Sequence, residues 1–195
     1  MECIAHRINT IEELRKVPRE YGVEVDLRDF GDRLVLQHDP FKDGEDFEEY
    51  LKHYNHGTII LNIKSERIEY QILELLRKYN IKEYFFLDCT FPLIYLLSKD
   101  GEKNIALRFS EFEGIDTILS MESKVRWVWV DCFSKFPLSN YDANRLREKG
   151  FKLCFVSPEL QGRTERSHVS EFRHEIELNG INGDAVCTKY LDLWD

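Results

Sequence analysis

The chain has 195 residues, of which 43% are hydrophobic and 32% are charged. This length suits one domain with a sizeable buried core, and the composition argues against disorder. The net charge of −9 repels nucleic acid and anionic membrane surfaces, so neither is expected as a partner.

Short apolar runs of strand length recur along the chain and predict eight strands. They are Cys3–Ala5, Val23–Leu27, Thr58–Ile63, Tyr84–Leu87, Ile105–Leu107, Val125–Val130, Phe151–Val156 and Ala185–Cys187. A short extended piece, Leu34 to Gln37, follows a turn at Gly31-Asp32. Between the runs, apolar residues recur at helical spacing, so that strands alternate with helices.

Helix boundary signals agree with this division. Thr10 followed by Glu13 fits a capping box, and Ser65 is expected to cap the next long helix. Gly150 and Gly180 stand where later helices should end. Repeated βα units predict the α/β class and a compact single-domain (β/α)8 barrel over residues 1–195. The alternative is an open doubly wound sheet, although no glycine-rich dinucleotide loop supports it.

Two carboxylates lie on one face of a strand that otherwise reads as buried. Glu24 and Asp26 alternate with apolar residues, so their side chains point to the same side. His6 precedes them in the chain and His38 follows them. Together these four side chains supply the functional groups that metal-assisted acid–base catalysis requires. The alternative is that the acids form salt bridges with nearby arginines, Arg7, Arg28 or Arg33, and have no further role.

In barrels of this type, functional groups lie where strands end and loops begin. Residues at such ends include Asn62, Lys64, Asp88, Arg108, Asp131 and Lys189, and we expect them to ring one mouth. Arg108 and Lys189 would add positive charge around a phosphate, or pair with Glu111, Asp131 or Asp192. Trp129 shares a face with Trp127 and would form a platform for a sugar or polyol, or pack in the barrel wall.

The motifs of the first third resemble those of the glycerophosphodiester phosphodiesterases. That family opens with His-Arg, continues with Glu-x-Asp and His-Asp, and carries Glu-x-Lys on the third strand. The corresponding residues are His6-Arg7, Glu24-Val25-Asp26, His38-Asp39 and Asn62-Ile63-Lys64. Beyond these motifs the resemblance extends only to strand order.

The resemblance implies a divalent cation, Mg²⁺ or Ca²⁺, held by Glu24 and Asp26 with a third oxygen from Asn62. It also implies that His6 and His38 act as general base and general acid on a small phosphodiester. Arg7 and Lys64 would grip the phosphate oxygens. The expected activity is therefore phosphodiester hydrolysis.

This sequence departs from the family pattern in two respects. Asn62 replaces a charged ligand with a neutral carbonyl, and Asp88 or Asp131 could compensate for the lost charge. The segment between His38 and the next strand is short, so glycerol specificity is not carried over. The alternatives are a non-catalytic barrel that binds a phosphate ester and a lyase that releases a cyclic phosphate.

The location is also predicted from the sequence. The first apolar strand begins almost at Met1, which leaves no room for a signal peptide ahead of it. No apolar stretch approaches the length of about 18 residues that a membrane span requires. We therefore expect a cytoplasmic protein without a membrane anchor.

Overall fold

The structure, a computed structural model, describes residues 1–195 and belongs to the mixed α/β class that the sequence predicts. The chain divides into two units. The N-terminal unit is Ile4–Leu96, and the C-terminal unit is Met1–Cys3 together with Leu97–Asp195. The single domain and the closed (β/α)8 barrel stay predictions.

Six strands and four helices lie wholly or partly in the N-terminal unit. The strands are β1 (Glu2–Ala5), β2 (Gly22–Phe30), β3 (Arg33–Leu36), β4 (Glu45–Asp46), β5 (Ile59–Ile63) and β6 (Tyr84–Leu87). The helices are α1 (Ile11–Leu14), α2 (Phe47–His53), α3 (Glu69–Lys78) and α4 (Phe91–Lys99).

Strand β2 organises the N-terminal unit. It pairs in parallel with β1 through Ile4 and with β5 along Val23 to Leu27. From Leu27 onward it also pairs with β3 in an antiparallel hairpin, whose turn has Gly31 at φ +65°. This conformation suits glycine, which lacks the Cβ that would clash there. The register with β5 sets Asp26 beside Asn62.

Alternation along β2 separates two kinds of buried face. Val23, Val25 and Leu27 are fully buried apolar residues, whereas Glu24 and Asp26 between them are buried acids. Apolar burial of this kind stabilises a domain by about 25 cal/mol per Å² removed from water. Burying carboxylates opposes folding unless donors or cations satisfy them, so their partners identify the candidate site.

The C-terminal unit holds a parallel arrangement in the order β7, β8, β9 and β10. These strands are β7 (Ala106–Phe109), β8 (Trp127–Val130), β9 (Lys152–Val156) and β10 (Ala185–Thr188), and the helices are α5 (Ile115–Ser120), α6 (Asn140–Glu148) and α7 (Arg166–Leu178). Two 3₁₀ helices cover Pro158–Gln161 and Leu191–Leu193. Rings of Phe136, Phe155, Phe172 and Trp194 pack edge to face in its core.

Most predicted boundaries agree with the structure. The capping box of Thr10 and Glu13 is formed, and Gly150 and Gly180 follow helix ends with positive φ. The prediction that Ser65 caps α3 is wrong, because α3 begins at Glu69 and Arg67 lies between them in a left-handed conformation, φ +71°. None of the helices combines the length and apolar character needed to cross a bilayer.

Candidate metal and acid–base site

Glu24 and Asp26 form the centre of the candidate site, and each is 1% exposed. Their strand lies between β1 and β5, so strand pairing fixes the positions of both residues. Their side chains share a face because they stand two residues apart on one strand. The sequence prediction of a buried pair of acids is therefore confirmed.

The loop after β1 supplies donors to both acids. Arg7 is left-handed, φ +56°, and its backbone N–H donates to Glu24 Oε2 at 2.7 Å. Its Nε lies 3.3 Å from Asp26 Oδ2. Asn9 makes a two-way contact, because its Nδ2 donates to Asp26 Oδ2 at 2.9 Å and its Oδ1 accepts from Asp26 N at 2.8 Å.

The third strand of the site, β5, contributes an amide, and the residue that follows it contributes an ammonium. Asn62 Nδ2 donates to Glu24 Oε1 at 2.7 Å. Lys64 Nζ lies 3.6 Å from Asp26 Oδ1 and 3.4 Å from Asp88 Oδ2. Asp26 Oδ1 and Asn62 Oδ1 are buried, and no donor stands within hydrogen-bonding distance of either oxygen.

The lack of a hydrogen-bond donor at Asp26 Oδ1 and Asn62 Oδ1 bears on whether these residues can bind a divalent cation. A buried oxygen without a donor costs free energy, and binding a hard cation would remove that cost. Together with the Glu24 carboxylate they offer an oxygen-only donor set, the kind that Mg²⁺ and Ca²⁺ select. No cluster of three His, Cys, Asp or Glu side chains suits a metal ion. The carboxylates of Glu24 and Asp26 therefore form a three-residue cation site only together with the amide oxygen of Asn62.

The charge on Glu24 is costly in this environment. Burial raises its pKa from 4.5 to about 7, with a further contribution from the neighbouring Asp26 carboxylate. Hydrogen bonds from Asn62 and from the Arg7 amide act on this pKa in the opposite direction. A bound cation would favour the ionised form and lower the pKa.

The two predicted histidines differ in their surroundings. His6 follows β1 directly, its side chain is 15% exposed, and its Nε2 lies 3.8 Å from Glu24 Oε2. His38 lies in the loop after β3, and its Nδ1 is 3.0 Å from Asp39 Oδ1. The hydrogen bond from His38 is the largest cause that lowers the pKa of Asp39 to about 2, and Lys42 adds to it.

Arg28 joins two loops of the site. Its Nε and Nη2 donate to the carbonyl oxygen of His38 at 3.0 and 2.8 Å, and its Nη1 donates to that of Lys64 at 2.9 Å. The expectation that Arg28 pairs with the buried acids is wrong, because these two carbonyls use its guanidinium. Arg33 is likewise elsewhere, beside Asp43 on the exposed surface. Only Arg7 fulfils that expectation.

Sequence reasoning missed the roles of Asn9 and Arg28. Neither residue belongs to a recognised motif, and each acts through contacts between segments far apart in the chain. The one sequence signal for Arg28 is its position two residues after Asp26 on the same strand face. Asn9 gives no comparable signal.

The remaining predicted site residues, Arg108, Trp129, Asp131 and Lys189, belong to the C-terminal unit. Arg108 forms an ion pair with the fully buried Asp131, which also accepts a 2.5 Å hydrogen bond from Gln161 Nε2. The salt-bridge alternative for Arg108 is thus the one observed. Trp129 is 5% exposed, which favours packing. That these four residues bind substrate stays a prediction.

Comparisons with solved structures agree with the resemblance to the glycerophosphodiester phosphodiesterases. A glycerophosphodiester phosphodiesterase from Agrobacterium tumefaciens matches with a TM-score of 0.67 at 13% identity, over 100% of this chain and 98% of that one. The chain has the fold of the glycerophosphodiester phosphodiesterases. A second such structure, from Parabacteroides distasonis, matches with a TM-score of 0.62 at 14% identity, over 96% of this chain and 82% of that one.

The likeness to the glycerophosphodiester phosphodiesterases lies in structure more than in sequence. No family model matches the chain, and no curated protein matches it. At 13% identity the shared fold does not by itself establish a shared reaction. The reaction depends on the side chains of the site.

Proposed function

We propose that this chain is a divalent-cation-dependent phosphodiesterase that hydrolyses a small phosphodiester. The observation that carries the proposal is the meeting, in one unit, of a buried acid pair, the buried oxygens Asp26 Oδ1 and Asn62 Oδ1, which accept no hydrogen bond, and His6. The fold shared with phosphodiesterases adds support. The expected substrate is either a glycerophosphodiester-like compound or a sugar or polyol phosphodiester, and the expected location is the cytoplasm.

Glu24, Asp26 and Asn62 would hold the cation, Mg²⁺ or Ca²⁺. When bound, that cation supplies positive charge that stabilises the crowded phosphorus centre. Arg7 and Lys64 would bind the non-bridging phosphate oxygens and orient the ester. Both of these basic side chains stand within 4 Å of Asp26, so they are already placed at the acid pair.

His6 and His38 would move the protons. His6 Nε2 would take the proton from the attacking hydroxyl, which is water or a hydroxyl of the substrate itself. The adjacent Glu24 carboxylate would stabilise the resulting imidazolium. His38 would act as the imidazolium: its Nδ1–H would donate to Asp39, and its Nε2 proton would pass to the departing alkoxide.

Hydrolysis of bis(p-nitrophenyl) phosphate tests the proposal. We expect turnover with Mg²⁺, Ca²⁺ or Mn²⁺, loss of turnover with EDTA, and loss of turnover in Asp26→Asn. Asp29→Asn is the matched control, because Asp29 is an exposed aspartate on the same strand. Phosphorus NMR of the product from a second substrate that carries a hydroxyl next to its phosphate, such as glycerophosphocholine, separates hydrolysis from the lyase alternative, which would leave a cyclic phosphate. A wild-type protein without metal-stimulated cleavage would contradict the proposal.

A second candidate is a non-catalytic barrel that binds a phosphate ester. It is favoured by one observation: the chain's own donors, Asn62 Nδ2 and Lys64 Nζ, lie where metal charge would be expected. Calorimetry distinguishes the candidates. Saturable binding of inorganic phosphate without metal binding or hydrolysis would support the receptor, whereas metal binding that Asp26→Asn abolishes would support the enzyme.

A further inference from the structure

Lys64 lies between two carboxylates of the N-terminal unit. Its ammonium is 3.6 Å from Asp26 Oδ1 and 3.4 Å from Asp88 Oδ2, and its side chain is 18% exposed. An ammonium is a compact point charge with three donors, so two acids can share it. The position of the ammonium therefore depends on the attraction of both carboxylates, Asp26 and Asp88.

Asp26 Oδ1 is one of the oxygens that a divalent cation would need. A lysine fully committed to that oxygen would repel a metal ion approaching it, since like charges at a few ångströms repel strongly. The geometry thus makes Lys64 a competitor for the cation site. The second acid determines how strongly it competes.

We propose that Asp88 is a positioning residue for the cation site: it holds the Lys64 ammonium partly away from Asp26 Oδ1, which leaves that oxygen available to a divalent cation. This inference rests on the proposed function.

The backbone at Asp88 supports a specific placement. Asp88 follows the last residue of β6, is left-handed at φ +62°, and is one of only a few non-glycine residues with positive φ. Strained residues of this kind cluster at functional sites. Asp and Asn tolerate the left-handed conformation better than most residues, so Asp88→Asn removes the charge while keeping the preferred backbone geometry.

A double-mutant cycle on the full-length chain tests the inference. Calorimetric titration with MnCl₂ would give the metal dissociation constant of the wild type, Asp88→Asn, Lys64→Met and the double variant. We expect Asp88→Asn to weaken metal binding by about tenfold or more, as is typical when an indirect partner of a metal ligand is removed. Asp88→Glu should recover most of that affinity.

The Lys64→Met background is decisive, because Asp88 is proposed to act through Lys64. There, adding Asp88→Asn should change the dissociation constant by less than about twofold. An unchanged constant in Asp88→Asn, or the same loss with and without Lys64, would overturn the inference while leaving the proposed function intact. A wild type that binds no metal overturns both. Metal binding with the expected cycle but no hydrolysis supports the role of Asp88 and contradicts the enzyme.

Discussion

Replacing Glu24 with Gln should stabilise the metal-free protein at alkaline pH. Burial raises the pKa of Glu24 to about 7 from 4.5, so the folded state binds more protons than the unfolded state between those values. Stability therefore falls as pH rises through this range. Because one pKa unit corresponds to about 1.4 kcal/mol, the ionised carboxylate costs the fold about 3 kcal/mol above pH ~8.

Glutamine fits the same position. Its side-chain oxygen would keep the hydrogen bond from the Arg7 amide, and its nitrogen would donate to the Asn62 oxygen once the Asn62 amide flips. In EDTA at pH ~8.5 the melting temperature should rise by about 6 to 12 °C, given about 2–4 °C per kcal/mol at this chain length. Near pH ~4 the wild type and the variant should have the same melting temperature, because the carboxyl group is protonated in both the folded and the unfolded wild type.

Thermal melts across this pH range provide the assay, with the exposed Glu20→Gln as the matched control. Saturating Mg²⁺ or Ca²⁺ should reverse the order at alkaline pH. A cation at about a thousandfold excess over its dissociation constant stabilises the wild type by about 4.1 kcal/mol. This gain exceeds the cost of about 3 kcal/mol of the ionised carboxylate, and the variant has lost a charged ligand. A variant that is equally or less stable than the wild type in EDTA at every pH would refute this reasoning.

Three other sets of substitutions test the site and its surroundings. His6→Ala or His38→Ala should each lower turnover by about 10² to 10⁴ without unfolding the protein, and full activity in both would contradict the acid–base assignment. Arg28→Met, which releases the carbonyls of two site loops, should lower kcat by about tenfold or more, whereas the exposed Arg33→Met should not. Burial raises the pKa of Glu111, but hydrogen bonds from the Lys135 and Ser134 amides outweigh it and lower that pKa to about 2. After a discount for solvent screening, Glu111→Gln should cost about 1–2 kcal/mol at neutral pH. Urea melts should show this cost disappearing as pH falls from 4.5 toward about 2, and a cost that persists at the acid end would argue against a charge effect.

The alternation of apolar and acidic residues along β2 shows which features of the fold the local sequence pattern predicts. Apolar residues at every second position predicted a buried strand, and the two acids between them had to share its other face. The hairpin turn at Gly31 and the capping box at Thr10 are similarly local, because each depends on residues within a few positions. The start of α3 was missed because a left-handed Arg67 interrupts the helical path, and no sequence rule signals that conformation.

The sequence by itself determined the strand and helix order, the pairing of acids on one face, and the motifs shared with the phosphodiesterases. Only the tertiary structure decided which groups face those acids: the Arg7 amide on Glu24, Asn9 on Asp26, and Lys64 between Asp26 and Asp88. Periodicity acts over a few residues, so it fixes which way a side chain points. The partner it meets depends on register and loop conformation, which are set by packing between distant segments.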